Sequence, residues 1–214
     1  LNNRRLFCPR GKMIGGCSAH NGMVFVRGNR NDYERWENFG LKSWSYEKIL
    51  PYFKKIENWS GGENQYRGSF GLLPVNQSRN SNKLFKAFLN ASSEAGHKIN
   101  LDMNGEIQEG FGMFDTTIHN GERASVAKYY LSPAKKRKNL NIFSNSFVEK
   151  IIFEGKKAIG IEVKIKNKVE KIYANKEIIL SGGSINSPQL LMLSGIGDAN
   201  HLKEKGINVV NDVK

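Results

Sequence analysis

The sequence predicts an α/β chain, and three observations carry that prediction. A glycine-rich stretch between Pro9 and Gly28 is followed by helical patterns. From Asn141 the apolar residues change to a period of two, which is the spacing of half-buried strands. Near the end, Glu177-Ile178-Ile179-Leu180-Ser181-Gly182-Gly183 reads as a buried strand running into a glycine turn, with a well-punctuated helix after it. Three regions are expected: 1–60, a glycine-rich loop with its packing helices; 61–140, a connecting region that opens a second half; and 141–214, a β-meander with a βα unit.

The glycine-rich loop comes first. Gly15-Gly16 removes two Cβ atoms in succession, so the backbone can take positive φ and turn successive N–H groups toward a ligand. Taken alone, such a pair is an ordinary surface turn more often than a binding site. Gly11 and Gly16 have the spacing of a triphosphate loop, but Cys17 stands where that loop needs lysine. A first dinucleotide turn should follow a buried strand, and residues 1–10 are charged and polar.

After the loop, Asp32 is expected to cap a short helix through Trp36, and Ile49, Tyr52, Phe53 and Ile56 mark a helix over 46–57 that Pro51 should bend or delay. Trp36, Trp44, Tyr52 and Phe53 read as core packing rather than a substrate cage. Residues 58–80 read as loop, and Ser81 as the cap of a helix that Gly96 ends. A strand pair turning at Asn120-Gly121 precedes a short helix around Ser125–Tyr130, which makes His119 a turn residue rather than a base.

In the second half, strands are expected at 141–144, 147–153, 158–165 and 169–173, with turns at Glu154-Gly155-Lys156-Lys157 and Lys166-Asn167-Lys168. The helix after Gly183 has Ser187 as N-cap, Pro188 at its first position and Gly195 beyond its end. A short helix ending at Lys205-Gly206 and a strand at Ile207–Val210 close the chain.

Composition narrows the functional classes. Of 214 residues, 39% are hydrophobic and 25% charged, so the chain is expected to be globular. The longest apolar runs, such as Ile178-Ile179-Leu180, are too short to span a bilayer, and no apolar core follows Leu1–Arg5 as a signal peptide would require. The first residue is not Met, which places the expected start of the protein upstream. A net charge of +13 raises the possibility of nucleic acid, but the lysines are dispersed. Only Lys135-Lys136-Arg137-Lys138 is compact, and it reads as a solvated loop, so no nucleic-acid partner is expected. Cys8 and Cys17 lack metal-ligand spacing, so no metal site is expected.

The run Pro9–Gly28, continuing into Asn31-Asp32-Tyr33-Glu34-Arg35-Trp36, resembles the first signature of the glucose–methanol–choline (GMC) family of FAD-dependent oxidoreductases. Gly183–Gly197 resembles that family's second signature, and Trp44-Ser45-Tyr46 and Leu50-Pro51-Tyr52-Phe53 lie between the two, as the family also tends to have them. The resemblance implies part of a Rossmann-like FAD-binding domain with a β-meander, plus the beginning of a substrate domain. The implied reaction removes hydride from the hydroxyl-bearing carbon of an alcohol or sugar.

Position by position, the resemblance puts Met13, Gly15, Gly16 and Ser18 along the pyrophosphate and ring. Asn21, Gly22, Met23 and Val24 meet the isoalloxazine side, and the backbone of Val148 meets the adenine. His20 holds the position of a covalent histidyl–flavin bond in the choline oxidase branch, while many members carry an apolar residue there; both readings stay open. The family's dinucleotide fingerprint and catalytic histidine belong to segments outside these residues, so no catalytic residue is assigned. The expectation is an internal fragment with little or no turnover of its own, and a truncated flavin-binding remnant is the alternative.

Overall fold

The computed structural model describes residues 2–78 and 82–213. Their contacts divide the chain into two compact units, Leu1–Leu140 and Asn141–Lys214.

The first unit is organised by a four-stranded sheet made of β1 (Val24–Phe25), β2 (Glu57–Trp59), β3 (Leu73–Gln77) and β4 (Asp115–Thr116), in the order β1-β4-β3-β2. β2 and β3 run parallel, and the other pairs are antiparallel. Trp59, Leu73, Val75 and Ala124 form the buried core, with Phe25 and Tyr129 packed against it. The expected loop over 58–80 therefore gives way to strand at both ends. Turn formers dominate its middle, and Pro74 hides the strand in the sequence. β3 pairs with β2 through Leu73–Val75 and with β4 through Asn76–Gln77, so Pro74 interrupts a ladder on one side at most.

Two helices flank the loop's far end. α1 (Arg30–Asn38) is capped by Asn29, whose side chain accepts from the Asn31 N–H at 2.9 Å, while Asp32 accepts from the Asn29 N–H at 3.2 Å. Asp32 is thus the third residue of a capping box and not the cap itself. α2 (Tyr46–Ile56) carries Pro51 in its second turn without interruption and buries Tyr46 and Ile49. Tyr33, Trp36, Trp44 and Phe53 form a chain of ring contacts at 5.4–5.8 Å. Contrary to expectation, Trp36, Trp44 and Tyr52 remain substantially exposed and line an open apolar groove of about 570 Å³, because two short helices cover only the inward side of each ring.

α3 (Lys83–Glu94) begins at Asn82, whose side chain accepts from the Leu84 N–H at 2.8 Å; Ser81, the expected cap, lies outside the described residues. Leu84 and Phe88 are exposed, and Ser92 is the buried residue of the helix. β5 (Ile118–His119) and β6 (Glu122–Arg123) form the expected hairpin, with Asn120 and Gly121 both at positive φ as a two-residue turn requires. A π-helical turn, Ala127–Leu131, runs into α4 (Ser132–Ala134).

The second unit holds an antiparallel meander of β7 (Ser146–Glu154), β8 (Lys157–Ile165) and β9 (Lys168–Tyr173). Residues 141–144 form no strand. α5 (Gly183–Leu193) packs on β7, followed by β10 (Ile196–Gly197), α6 (Ala199–Glu204) and β11 (Asn211–Asp212), which lies parallel to β10. Three further segments differ from the sequence pattern. Residues 177–183 form no strand, since no neighbouring strand bonds to them among the described residues, and Ile179 stands exposed. α5 starts at Gly183, so Ser187 and Pro188 lie inside it; the Ser187 hydroxyl still reaches back to accept from the Gly182 N–H at 3.0 Å. The last strand is 211–212 rather than 207–210, because it follows the register of Ile196–Gly197.

Ser194, just beyond α5, ties helix to sheet. Its hydroxyl accepts from the buried Ile151 N–H at 2.8 Å and donates to the Leu190 carbonyl at 2.6 Å. Ser194→Ala strands that buried N–H, so chemical denaturation of the second unit should show a loss of about 1–3 kcal/mol.

Candidate functional site: the glycine-rich loop

Gly15 and Gly16 both adopt positive φ, 95° and 52°, and lead into a 3-10 turn, Gly16–Ala19. The turn closes on itself: Gly16 N–H donates to Met13 O at 2.9 Å, and the Ser18 hydroxyl donates to Gly15 O at 2.6 Å. Gly11 lies against it, where a Cβ would overlap the Gly16 carbonyl and sit 2.8 Å from Cys17 N. Beyond the turn, Asn21 Oδ1 accepts from Met23 N–H at 3.1 Å and holds Met23 in the left-handed region at φ 61°. Val24 then enters β1.

The upper surface of this loop is open. Nothing lies within 4 Å of where a Cβ would project from Gly16 or Gly22. The amides of Gly15 and Cys17 have no protein acceptor among the described residues. Met13, Ile14 and Val24 are about half exposed, and Arg10 and Lys12 are exposed beside the turn. Free amides, local positive charge and an uncovered apolar rim suit a large ligand that is anionic at one end and flat and apolar at the other. FAD is such a molecule, so these residues fit it.

Nine of the ten residues expected at the site, Met13, Gly15, Gly16, Ser18, His20, Asn21, Gly22, Met23 and Val24, thus lie on one continuous segment that runs from the loop into β1. His20 ends the 3-10 turn with its ring exposed. Val148 belongs to the second unit, where it pairs with Val163 at the edge of the meander. The register slips directly after it, so Glu149 is bulged and the local backbone leaves the regular ladder.

The sequence reading missed the groups that hold the loop. Thr117 donates to Met23 O through its N–H at 2.8 Å and its hydroxyl at 3.3 Å. Val126 N–H donates to the Ser18 hydroxyl at 3.1 Å, and Arg123 reaches Ser18 and Asn21. It also missed a buried ion cluster behind the loop. Arg27, at the loop's end, meets Glu57 at 2.6 Å, and Arg67 meets Glu57, Asp102 and Asp115 at 3.0, 2.5 and 2.8 Å. Burial pushes the Arg27 guanidinium below its ordinary value despite Glu57. Burial acts the same way on Arg67, but its hydrogen bonds to Glu57 and Asp115 outweigh it and the net shift is upward. These partners are at least 10 positions apart in the chain, and no spacing rule connects them.

Among the described residues no cluster of three His, Cys, Asp or Glu is placed to hold a metal ion, and no helix is long and apolar enough to cross a membrane.

Known proteins resemble this chain over nearly its whole length. An oxygen-dependent choline dehydrogenase of Brucella anthropi is 49% identical over 99% of this chain, and one from Rhizobium meliloti is 49% identical over the same share. The chain spans 38% of the length of these curated relatives. Among solved structures, an FAD-dependent oxidoreductase from Chaetomium thermophilum superposes with a TM-score of 0.90 at 30% identity, covering 100% of this chain and 39% of that one. A pyridoxine 4-oxidase from Mesorbium loti gives 0.88 at 30% identity, covering 96% of this chain and 41% of that one. The family model described as GMC oxidoreductase matches residues 1–212. The chain belongs to the GMC oxidoreductase family, a family of FAD-dependent flavoproteins.

Proposed function

We propose that this chain supplies part of the FAD site of an oxidoreductase acting on the CH–OH group of an alcohol or sugar, with choline-like amino alcohols the first substrates to test. The observation that carries the reading is the open turn at Gly15-Gly16, with its unclaimed amides and apolar rim. The 49% identity to proteins named oxygen-dependent choline dehydrogenase supports the choice of substrate. Within this reading, 1–60 carries the flavin-contacting loop, 61–140 opens the substrate half, and 141–214 adds the meander with Val148.

The chemistry that FAD supplies when bound is acceptance of hydride from the carbon bearing the hydroxyl. The Gly15 and Cys17 amides are donors for phosphate oxygens, and the missing side chain of Gly16 leaves the backbone open to close approach, whereas Gly15 lacks a side chain to make room for Ala127. Asn21 fixes the left-handed Met23, so Gly22–Val24 present a set backbone edge. Met13, Ile14 and Val24 offer the apolar surface that a bound ring would cover. Ser18 is committed to holding the loop, with its hydroxyl donating to Gly15 O and accepting from Val126 N–H. None of these side chains is assigned as the base that takes the hydroxyl proton, a contribution typically worth about 10²–10⁴ in rate.

The test is to titrate the purified chain with FAD, following flavin fluorescence, and then add choline and an alcohol panel with a dye acceptor. Saturable binding with negligible turnover is expected. Absence of binding overturns the site assignment, and robust turnover overturns the absence of a base. Acid denaturation of the loaded chain decides the role of His20: flavin that leaves with the supernatant excludes a covalent histidyl link.

A further inference from the structure

We infer that Arg123 is the positioning residue of the glycine-rich loop, fixing the Ser18–Met23 backbone in the shape presented to the flavin; this rests on the flavin reading above. One guanidinium nitrogen, Nη1, donates to three acceptors on the loop: Asn21 O and Asn21 Oδ1, both at 2.7 Å, and Ser18 O at 3.3 Å. Asn21 Oδ1 is the same atom that accepts from Met23 N–H, so Arg123 orients the group that holds Met23 left-handed.

The placement of Arg123 is itself fixed. It closes the hairpin whose Asn120-Gly121 turn sets the register Ile118↔Arg123, and the next residue, Ala124, is buried in the core and donates its N–H to Thr117 O at 2.9 Å. Thr117 and Val126, on either side, hold Met23 O and the Ser18 hydroxyl. Residues 117–126 therefore act as a mould for the loop, with Arg123 at its centre. Nη1 carries two hydrogens, so one of them is shared between acceptors, and each contact is strengthened by the charge of the donor.

Because all three contacts leave from a single nitrogen, a lysine ammonium can reproduce some of them, whereas a methionine of similar volume reproduces none. The experiment compares wild type, R123A, R123K, R123M and the control K128A by hydrogen–deuterium exchange of peptides covering residues 15–24 and by FAD titration of the same chain. Lys128 is exposed, and its ammonium pairs with Glu122 and touches neither Ser18 nor Asn21. R123A and R123M are expected to exchange about tenfold faster over 15–24 and to bind FAD about tenfold more weakly, with R123K in between and K128A unchanged.

Wild-type exchange in R123A, or equal behaviour of R123K and R123M, overturns the inference. If R123A does not fold by circular dichroism, the lysine and methionine variants, which keep the volume, carry the comparison. If the wild type binds no FAD, the flavin reading fails, and the exchange data still decide whether Arg123 shapes the loop.

Discussion

Replacing Arg67 with alanine is expected to destabilise the first unit by about 3–5 kcal/mol, the range for breaking a buried ion pair from one side. Arg67 is fully buried and sits over the Trp59 ring at 4.2 Å. It bonds Glu57 through Nε at 3.0 Å and Nη2 at 3.1 Å, and pairs with Asp102 and Asp115. Without it, Glu57 keeps only Arg27 as a cationic partner and Asp115 loses its guanidinium, and Glu57 has no exposed surface through which water could compensate. The Gly68 N–H bond to Glu57 at 2.8 Å is too weak to replace a guanidinium. The measurement is urea denaturation of wild type, R67A and R67K. The lysine variant should fall between the other two because it keeps the charge and loses the fork. An unchanged R67A midpoint would show that the cluster adds no net stability.

Gly11→Ala is the change expected to damage flavin binding most, weakening FAD at least about tenfold and reaching undetectable affinity if the turn cannot close. The new methyl group would occupy the space of the Gly16 carbonyl, which is backbone and cannot swing aside as a flexible side chain would. The turn would have to open, which breaks the Gly16 N–H to Met13 O bond and moves the Gly15 and Cys17 amides. Thermal stability should change less than affinity, because the loop lies outside the Trp59–Leu73–Val75–Ala124 core. FAD titration beside a melting curve separates the two effects, and wild-type affinity in G11A would show that the closed turn is not the binding shape.

The parts that local chemistry determines were legible in the sequence. Asn120-Gly121, Glu154-Gly155-Lys156-Lys157 and Lys166-Asn167-Lys168 marked hairpins that form where expected, and Gly96 and Gly195 end their helices at positive φ. The loop itself was visible because backbone freedom is written in its glycines. What stayed hidden depends on distant partners. Pro74 argued against a strand that the Glu57–Trp59 segment nonetheless recruits. Ile178-Ile179-Leu180 has the composition of a strand, but composition cannot provide a neighbour to bond with. The Arg67 cluster and the grip of Arg123 on Asn21 join residues 10 to 102 positions apart, beyond any periodicity.

The chain has three tryptophans, Trp36, Trp44 and Trp59, all of which fall in the Leu1–Leu140 unit. Indole emission is therefore a private reporter of that unit. Trp59 signals loss of the shielded interior, while Trp36 and Trp44 are open to a collisional quencher from the start. A melt of residues 141–214 would pass unseen by this optical channel, and Tyr173 is the aromatic handle from which to follow it.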